Sequence, residues 1–483
     1  MANIQADVVV IGAGPAGYPC AIRLAQLGKK VTVIEKGVVG GVCLNVGCIP
    51  SKALIHAAST LDKLEHSADM GFELPKGKTV VNMPKLIAWK ETVVKKLTGG
   101  VAGLLKANGC TLITGEAQFT GPNSLTVKTA SGTDTITFKS CVIATGSRPS
   151  KLPLPGFEID QKRILDSTGA LALTTLPKSM LCIGGGYIGL ELGTVYAKLG
   201  TKVTVVEGSP NLLSGVDPQL TAVVEKKLRA RGVEIVLNAK IKSAKSAKDS
   251  VSVTFEDAGK SRTESFETVL VTVGRTPNHE GLGLEKAGLK VDSKGFLTVD
   301  PQRQTQVAGI YAVGDIAGQP LLAHKGTKEG IVAAEAIAGK KSAYDVLAMP
   351  AVIFTDPEVA TVGLTEAEAR QKGLPISIGV FPMAANGRAL SMGEPDGFMK
   401  MIGDSKTGRL LGVHIVGCEA SNLISEAALA IEMGAQVEDL ALTVHPHPTL
   451  GEVTMEAAEA TLGHAIHIFQ KKSAPSTQPR AQV

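Results

Sequence analysis

The chain has 483 residues, 44% hydrophobic and 20% charged, with seven cysteines, which is length enough for about three domains and several buried cores without disulfide staples. Its net charge of +5 is spread over scattered Lys-Lys pairs such as Lys29-Lys30 and Lys95-Lys96, and aromatics make up only 4%, so no nucleic-acid surface is expected. No continuous apolar run reaches the length of a membrane span, and the first residues pass directly into a strand, so a cytoplasmic protein with no membrane partner is expected.

Ala6-Asp-Val-Val-Val-Ile11 reads as a strand buried on both faces. It runs into Gly12-Ala-Gly14-Pro-Ala-Gly17 and an apolar-periodic helix to about Leu27, closed by Gly28. Lys30-Val-Thr-Val-Ile-Glu35 is the next strand. The unit is a βαβ fold whose glycines serve the tight turn, the approach of a pyrophosphate and close helix–strand packing. The helix N-terminus offers partial positive charge to phosphates, and Glu35 stands where a ribose hydroxyl would donate.

The pattern recurs. Ser179–Ile183 is a strand, Gly184-Gly-Gly186-Tyr-Ile-Gly189 opens a helix to Leu199, Gly200 closes it, and Lys202–Glu207 follows. Two matched units imply two dinucleotide sites. Glu207 would bond a ribose 2′-hydroxyl and repel a 2′-phosphate, and residues 208 to 213 hold no Lys or Arg, so the second site suits NAD rather than NADP.

Cys141-Val-Ile-Ala-Thr145-Gly146-Ser-Arg-Pro149 and its near copy Val269-Leu-Val-Thr-Val-Gly274-Arg275-Thr-Pro277 look like the chain leaving each nucleotide fold. They place boundaries near 149 and 273. Another strand ends at Gly314-Asp315. Beyond about 347, strands near 350–354, 377–381 and 409–416 alternate with helices as an α+β unit. The polar residues 472–483 read as a disordered tail.

Five cysteines (Cys20, Cys110, Cys141, Cys182, Cys418) lie singly among apolar or small residues and read as core. Cys43 and Cys48 differ. In Gly40-Gly-Val-Cys43-Leu-Asn-Val-Gly-Cys48-Ile-Pro50-Ser-Lys52 they can meet if the segment is the distorted start of a helix running to about His66. A helix N-terminus favours a thiolate, and no second Cys or His cluster completes a zinc site. A redox disulfide beside a flavin is the expectation, with a structural pair as the alternative.

With Phe354-Thr-Asp-Pro-Glu-Val-Ala and His445-Pro-His447-Pro-Thr-Leu-Gly-Glu452, these segments resemble the two-dinucleotide-binding flavoprotein disulfide reductases, over residues 5 to 470 and in that family's order. The nearest branch is the one that oxidises dihydrolipoyl groups. The resemblance implies an α/β fold of two Rossmann-like dinucleotide-binding domains and a C-terminal α+β dimerisation domain. FAD would be bound by 1–149 and 274–346, NAD by 150–273, and the dimer formed through 347–471. Gly12, Gly14, Gly17, Glu35, Lys52, Thr145, Gly146, Asp315 and Ala323 would face FAD, with Leu322 and His324 beside Ala323. Gly184, Gly186, Gly189, Glu207 and Gly274 would face NAD.

Catalysis would rest on Cys43 and Cys48, on Lys52 paired with Glu191 near the flavin, and on His447 oriented by Glu452, a base that takes a thiol proton near neutral pH. The resemblance further implies a homodimer with shared active sites, and a lipoyl-bearing acyltransferase (E2) or glycine-cleavage H protein as partner. Reductases of the glutathione type prefer NADPH and carry basic residues after the second motif, which this chain lacks, although Tyr187 is shared with them. A C-terminal cysteine pair of the mercuric-reductase kind is absent from the sequence, and a soluble transhydrogenase would lack the Cys43–Cys48 pair. A chiefly assembly role, docking to an acyltransferase core, is the remaining alternative.

Overall fold

The computed structural model describes residues 3–73 and 79–470, so the expected disordered tail at 472–483 lies outside the described residues. The chain divides into two compact units, Met1–Gly208 with Val236–Asp345, and Ser209–Ile235 with Val346–Val483.

The first unit begins β1 (Asn3–Ile11), α1 (Gly17–Gln26), β2 (Val31–Glu35), α2 (Gly41–Val46), α3 (Cys48–Glu65) and α4 (Met83–Ala107). β3 (Thr111–Thr114), β4 (Glu116–Gly121), β5 (Ser124–Thr129) and β6 (Gly132–Ile143) follow. Their sheet runs β3-β2-β1-β6-β5-β4, parallel from β3 to β6 and antiparallel beyond. The apolar run in β1 is explained by its two covered faces. Val9 and Ile11 pack with Phe119, Leu125 and Ile136 on one side, Val8 and Val10 with Cys20 and Leu24 on the other. On α1, Gly17, Cys20, Ala21 and Leu24 are buried, the spacing of a single helical face.

The second nucleotide fold repeats this plan with β7 (Ser179–Ile183), α5 (Tyr187–Leu199), β8 (Lys202–Val206) and β9 (Thr268–Val271), all three strands parallel. A polar three-stranded meander over residues 240–266 turns Val251, Val253 and Phe255 onto Leu181 and Ile183. Where the chain passes between the folds, Ser147–Pro149 pairs antiparallel with Arg275–Pro277. β10 (Ile310–Ala312) then returns to β6, and α6 (Ala323–Ile337) follows. Gly41–Glu65 is the one described stretch long and apolar enough to cross a membrane by length and composition. It is divided at Gly47 and buries Leu44, Ala53, Leu54 and Ala58.

The second unit is built on five antiparallel strands: β11 (Ala351–Ile353), β12 (Glu358–Gly363), β13 (Ile376–Pro382), β14 (Phe398–Asp404) and β15 (Leu410–Gly417), in the order β11-β12-β15-β14-β13. α7 (Ala420–Met433) and α8 (Glu452–Leu462) close its core around Met399, Met401, Val413 and Ile415. Three of the strands match the expected positions. β12 and β14 were not anticipated, because β14 carries two methionines and a lysine where a strand pattern would show β-branched residues.

That lysine explains why the helix Pro218–Ala230 belongs to this unit. Lys400 Nζ lies 2.7 Å from Asp217 Oδ2, 2.6 Å from Glu366 Oε2 and 3.0 Å from Gln219 Oε1, with 2% of its side chain exposed. Burial works against its charge, yet the bonds to Asp217 and Glu366 hold the ammonium above its ordinary pKa. Asp217 in turn caps the helix by accepting from the Gln219 N–H at 2.9 Å. Lys400→Ala leaves two carboxylates facing a void, and denaturant unfolding should show a loss of about 3 kcal/mol. A loss below about 1 kcal/mol would make the cluster an ordinary surface pairing.

Candidate active site

The two cysteines meet because the expected single helix is two. α2 ends at Val46 and α3 begins at Cys48, and a Cβ on Gly47 would stand 2.9 Å from the Val42 carbonyl oxygen. Asn45 fastens the turn through the Gly41 and Val39 carbonyls at 2.9 and 3.1 Å. The thiols are in the reduced form, and Cys43 and Cys48 hydrogen-bond to each other. That bond, with Cys43 as donor, is the main reason the Cys48 thiol falls to about 7; burial opposes it and the Lys52 charge assists. Cys43 is correspondingly pushed up, first by the same bond and then by burial.

Lys52, one turn along α3, reaches Glu191 Oε2 on α5 at 2.8 Å, with Glu191 only 5% exposed at its side chain. Both line a cavity of about 490 Å³ that also takes in Gly12, Gly14, Glu35, Cys43, Cys48, Thr145, Gly146, Asp315 and Ala323. Eleven expected residues are thus brought to one wall-to-wall site. Gly17 stands behind it, where a Cβ would collide with the Gly12 carbonyl, so its smallness lets α1 sit on the end of β1.

The cavity fits FAD on several counts. Gly12 has φ +101°, and Gly41, at φ +58°, lets two backbone turns cross, since a Cβ there would lie 2.6 Å from the Gly14 Cα. The N-terminus of α1 opens beside these glycines. Glu35 is aimed by the Ala13 and Gly37 N–H groups, each 2.8 Å from one carboxylate oxygen. The first turn of α6, at Ala323 and Gly326, contributes a second helix N-terminus to the lining.

Asp315 is held by residues the sequence did not single out. Ser147 Oγ donates to Asp315 Oδ2 at 2.5 Å, and Arg275 Nε donates to Ser147 Oγ at 2.7 Å. Asn278 locks Thr145 by two bonds, 2.8 and 2.9 Å. The available signal was the echo between Gly146-Ser-Arg-Pro149 and Gly274-Arg275-Thr-Pro277, whose strands pair here. Glu329, with 0% exposure, was also missed. It accepts from the Gly314 N–H at 2.7 Å and pairs with Arg303 and Lys325 at 2.6 and 3.0 Å, fixing the turn that carries Asp315.

The second glycine turn repeats the first. Gly184 has φ +105° against the Thr272 carbonyl, and Gly189 packs onto Gly184 as Gly17 does onto Gly12. A Cβ on Gly186 would meet nothing within 4 Å, which leaves room for a pyrophosphate at the start of α5. Glu207 Oε2 accepts from the Gly185 N–H at 2.6 Å, and Gly274 ends the adjoining turn from Thr272. None of these five residues lines the FAD-shaped cavity. They suit a separate NAD.

His447 and Glu452 are brought together in the second unit, Nδ1 to Oε1 at 2.8 Å. His447 is 78% exposed at its side chain, with Nε2 left outward. Glu452 opens α8, where the helix N-terminus favours its charge. Burial raises its carboxyl, but the Thr449 N–H at 2.8 Å and the His447 ring more than offset this and hold it below the usual carboxylate range.

Residues 6–330 match the family model of the pyridine nucleotide-disulphide oxidoreductases, and residues 349–458 match that family's dimerisation domain. The chain is 52% identical to a dihydrolipoyl dehydrogenase of Geobacillus stearothermophilus over 468 residues, covering 97% of this chain and 98% of the other. It is 49% identical over 468 residues to that of Thermus scotoductus, covering 96% and 99%. Among solved structures, LpdA of Mycobacterium tuberculosis superposes with a TM-score of 0.87 at 29% identity, over 94% of this chain and 99% of that one. The flavoprotein disulfide reductase RclA of Escherichia coli gives 0.84 at 29% identity with the same coverage. The chain belongs to the pyridine nucleotide-disulphide oxidoreductase family, whose members use FAD and NAD. Within that family it groups with the dihydrolipoyl dehydrogenases.

Two outcomes follow from the geometry. Thiolate absorbance of the reduced protein should titrate with a midpoint near pH 7, thiolate above and thiol below, and Cys43→Ala should move that midpoint upward by removing the donor. An unmoved midpoint would reject the hydrogen bond as the cause. Glu207→Ala should weaken NAD+ binding about tenfold by calorimetry while leaving flavin content unchanged.

Proposed function

We propose that the chain oxidises protein-bound dihydrolipoyl groups to lipoyl groups and reduces NAD+, as the E3 component of a 2-oxoacid dehydrogenase or glycine-cleavage complex. The observation that carries this reading is the Cys43–Cys48 pair at the junction of α2 and α3, beside the Lys52–Glu191 ion pair and on the same cavity as Gly12, Glu35 and Asp315. In this reading residues 1–149 and 274–346 hold FAD, 150–273 hold NAD, and 347–471 form the interface of a cytoplasmic homodimer. His447 and Glu452 of one protomer then serve the cysteines of the other.

The turnover begins with Cys43 and Cys48 joined as a disulfide. His447 takes a proton from one substrate thiol, and Glu452 stabilises the resulting imidazolium. The substrate thiolate attacks Cys43 Sγ, the Cys43–Cys48 bond breaks, and Cys48 leaves as a thiolate, which its lowered pKa makes a good leaving group. The second substrate thiol then attacks its partner sulfur. That closes the lipoyl disulfide and releases Cys43. The Lys52 charge beside Cys48 favours its thiolate form. FAD, held by Gly12, Gly14, Glu35 and Asp315, would supply the two-electron acceptor through which the cysteine pair returns to its disulfide and the electrons reach NAD+.

In this reading the partner that brings the dithiol is a lipoyl-bearing acyltransferase or H protein. Cys48→Ser should abolish dihydrolipoamide-dependent NADH formation, by at least 10³-fold, in a protein that still purifies yellow with flavin. Wild-type turnover in that variant would sink the mechanism, and a colourless folded protein would sink the cofactor assignment.

A further inference from the structure

The loop that presents His447 carries a second imidazole that the reaction above does not use. His445 lies two residues earlier, with 7% of its side chain exposed. Its Nδ1 stands 2.9 Å from the Thr443 carbonyl oxygen and its Nε2 2.9 Å from Glu426 Oε1. Both partners are acceptors, so whichever nitrogen carries the proton has an acceptor within hydrogen-bond distance. Glu426 belongs to α7, whose Ile424, Ala427, Ala430 and Ile431 are buried in the core of the second unit. The far end of the loop is tied separately. Asn386, 4% exposed, donates to the Thr449 carbonyl at 3.0 Å, and Thr449 donates to Pro446 O at 2.7 Å and to Glu452 at 2.8 Å. The exposed His447 therefore sits between two anchors, one of which is the His445–Glu426 contact onto a packed helix.

We infer that His445, pinned to Glu426, is a positioning residue for the dithiol step: it fixes where His447 stands when it takes the thiol proton, and touches neither substrate nor cofactor. An exposed ion pair would do little of this, because its geometry is loose. Here the imidazole is covered and has an acceptor 2.9 Å from each nitrogen, the arrangement that holds a reacting group in place through its neighbours. A displacement of about 1 Å at a reacting group can cost up to about 10²-fold in rate. The inference rests on the dithiol reaction proposed above.

The test uses the flavin-loaded dimer and two half-reactions, flavin reduction by dihydrolipoamide and flavin reduction by NADH, followed by stopped-flow absorbance. His445→Ala and Glu426→Ala should each slow the dihydrolipoamide half-reaction about tenfold in its limiting rate, with the NADH half-reaction within about twofold of wild type. His445→Gln, whose amide can still donate to Glu426, should recover most of the lost rate. A wild-type dithiol rate in His445→Ala overturns the inference. So does an equal fall of both half-reactions in His445→Ala and His445→Gln, which is what a role in folding alone would produce. His447→Ala separates the two levels. If it slows the dithiol step and His445→Ala does not, the positioning role falls by itself; if it leaves that step unchanged, the reaction proposed for the site falls as well.

Discussion

Glu191 has 5% of its side chain exposed, and a carboxylate taken that far out of water costs several kcal/mol unless a counter-charge stands beside it. Lys52 supplies one at 2.8 Å, and in doing so ties the helix that begins with Cys48 to the helix of the second glycine turn. The constraint works in both directions. The same ammonium that offsets Glu191 also favours the Cys48 thiolate, whereas Glu191 disfavours it. Cys48 and Lys52 lie one turn apart on α3, so the position of the thiol and the pairing of the two helices are set together.

The two nucleotide folds show how little freedom the glycine turn leaves. In each, the carboxylate at the end of the second strand accepts from a backbone N–H 22 residues earlier, Ala13 for Glu35 and Gly185 for Glu207. The bond orients the carboxylate before any ribose arrives. In each, the first glycine has positive φ against a carbonyl of the neighbouring strand, Ala144 or Thr272. A side chain at either position meets both a backbone conformation it rarely adopts and an oxygen it cannot displace. The repeat is thus physical as well as textual, and the two sites differ in what surrounds them rather than in the turn itself.

Much of this was legible from the residues. The βαβ units, their glycines and their terminal glutamates follow from local rules, and the strand and helix ends came within a residue or two of expectation except at β1, which begins at Asn3 rather than Ala6. The cysteine pair was legible as chemistry but not as geometry, because a break at Gly47 depends on the packing of Val42 above it. Ser147, Arg275, Asn278 and Glu329 were not legible as site residues. Each acts on a partner far along the chain, as Ser147 does on Asp315 and Glu329 on Arg303, and a polar residue alone in a loop or helix carries no mark of that partner. The meander at 240–266 was missed for a related reason. Its outward faces are so polar that the alternation of Val251, Val253 and Phe255 is diluted below notice.

Three buried charge clusters recur at junctions between distant segments: Lys52 with Glu191, Arg303 and Lys325 with Glu329, and Lys400 with Asp217 and Glu366. Apolar side chains of equal volume would hold those segments together at least as firmly. What they would not do is choose an orientation. A methyl packs against whatever surface is offered, while an ammonium with 2% exposure must find its carboxylates or leave them stranded. The cost of burying charge is therefore spent where orientation matters: at the cysteine helix, at the turn that carries Asp315, and where residues 209–235 join the second unit. The proposed role of His445 would extend the same logic to the loop that carries His447. A base that moves by one ångström no longer meets the proton it must take, so the residue beside it is held by directional bonds rather than by packing alone.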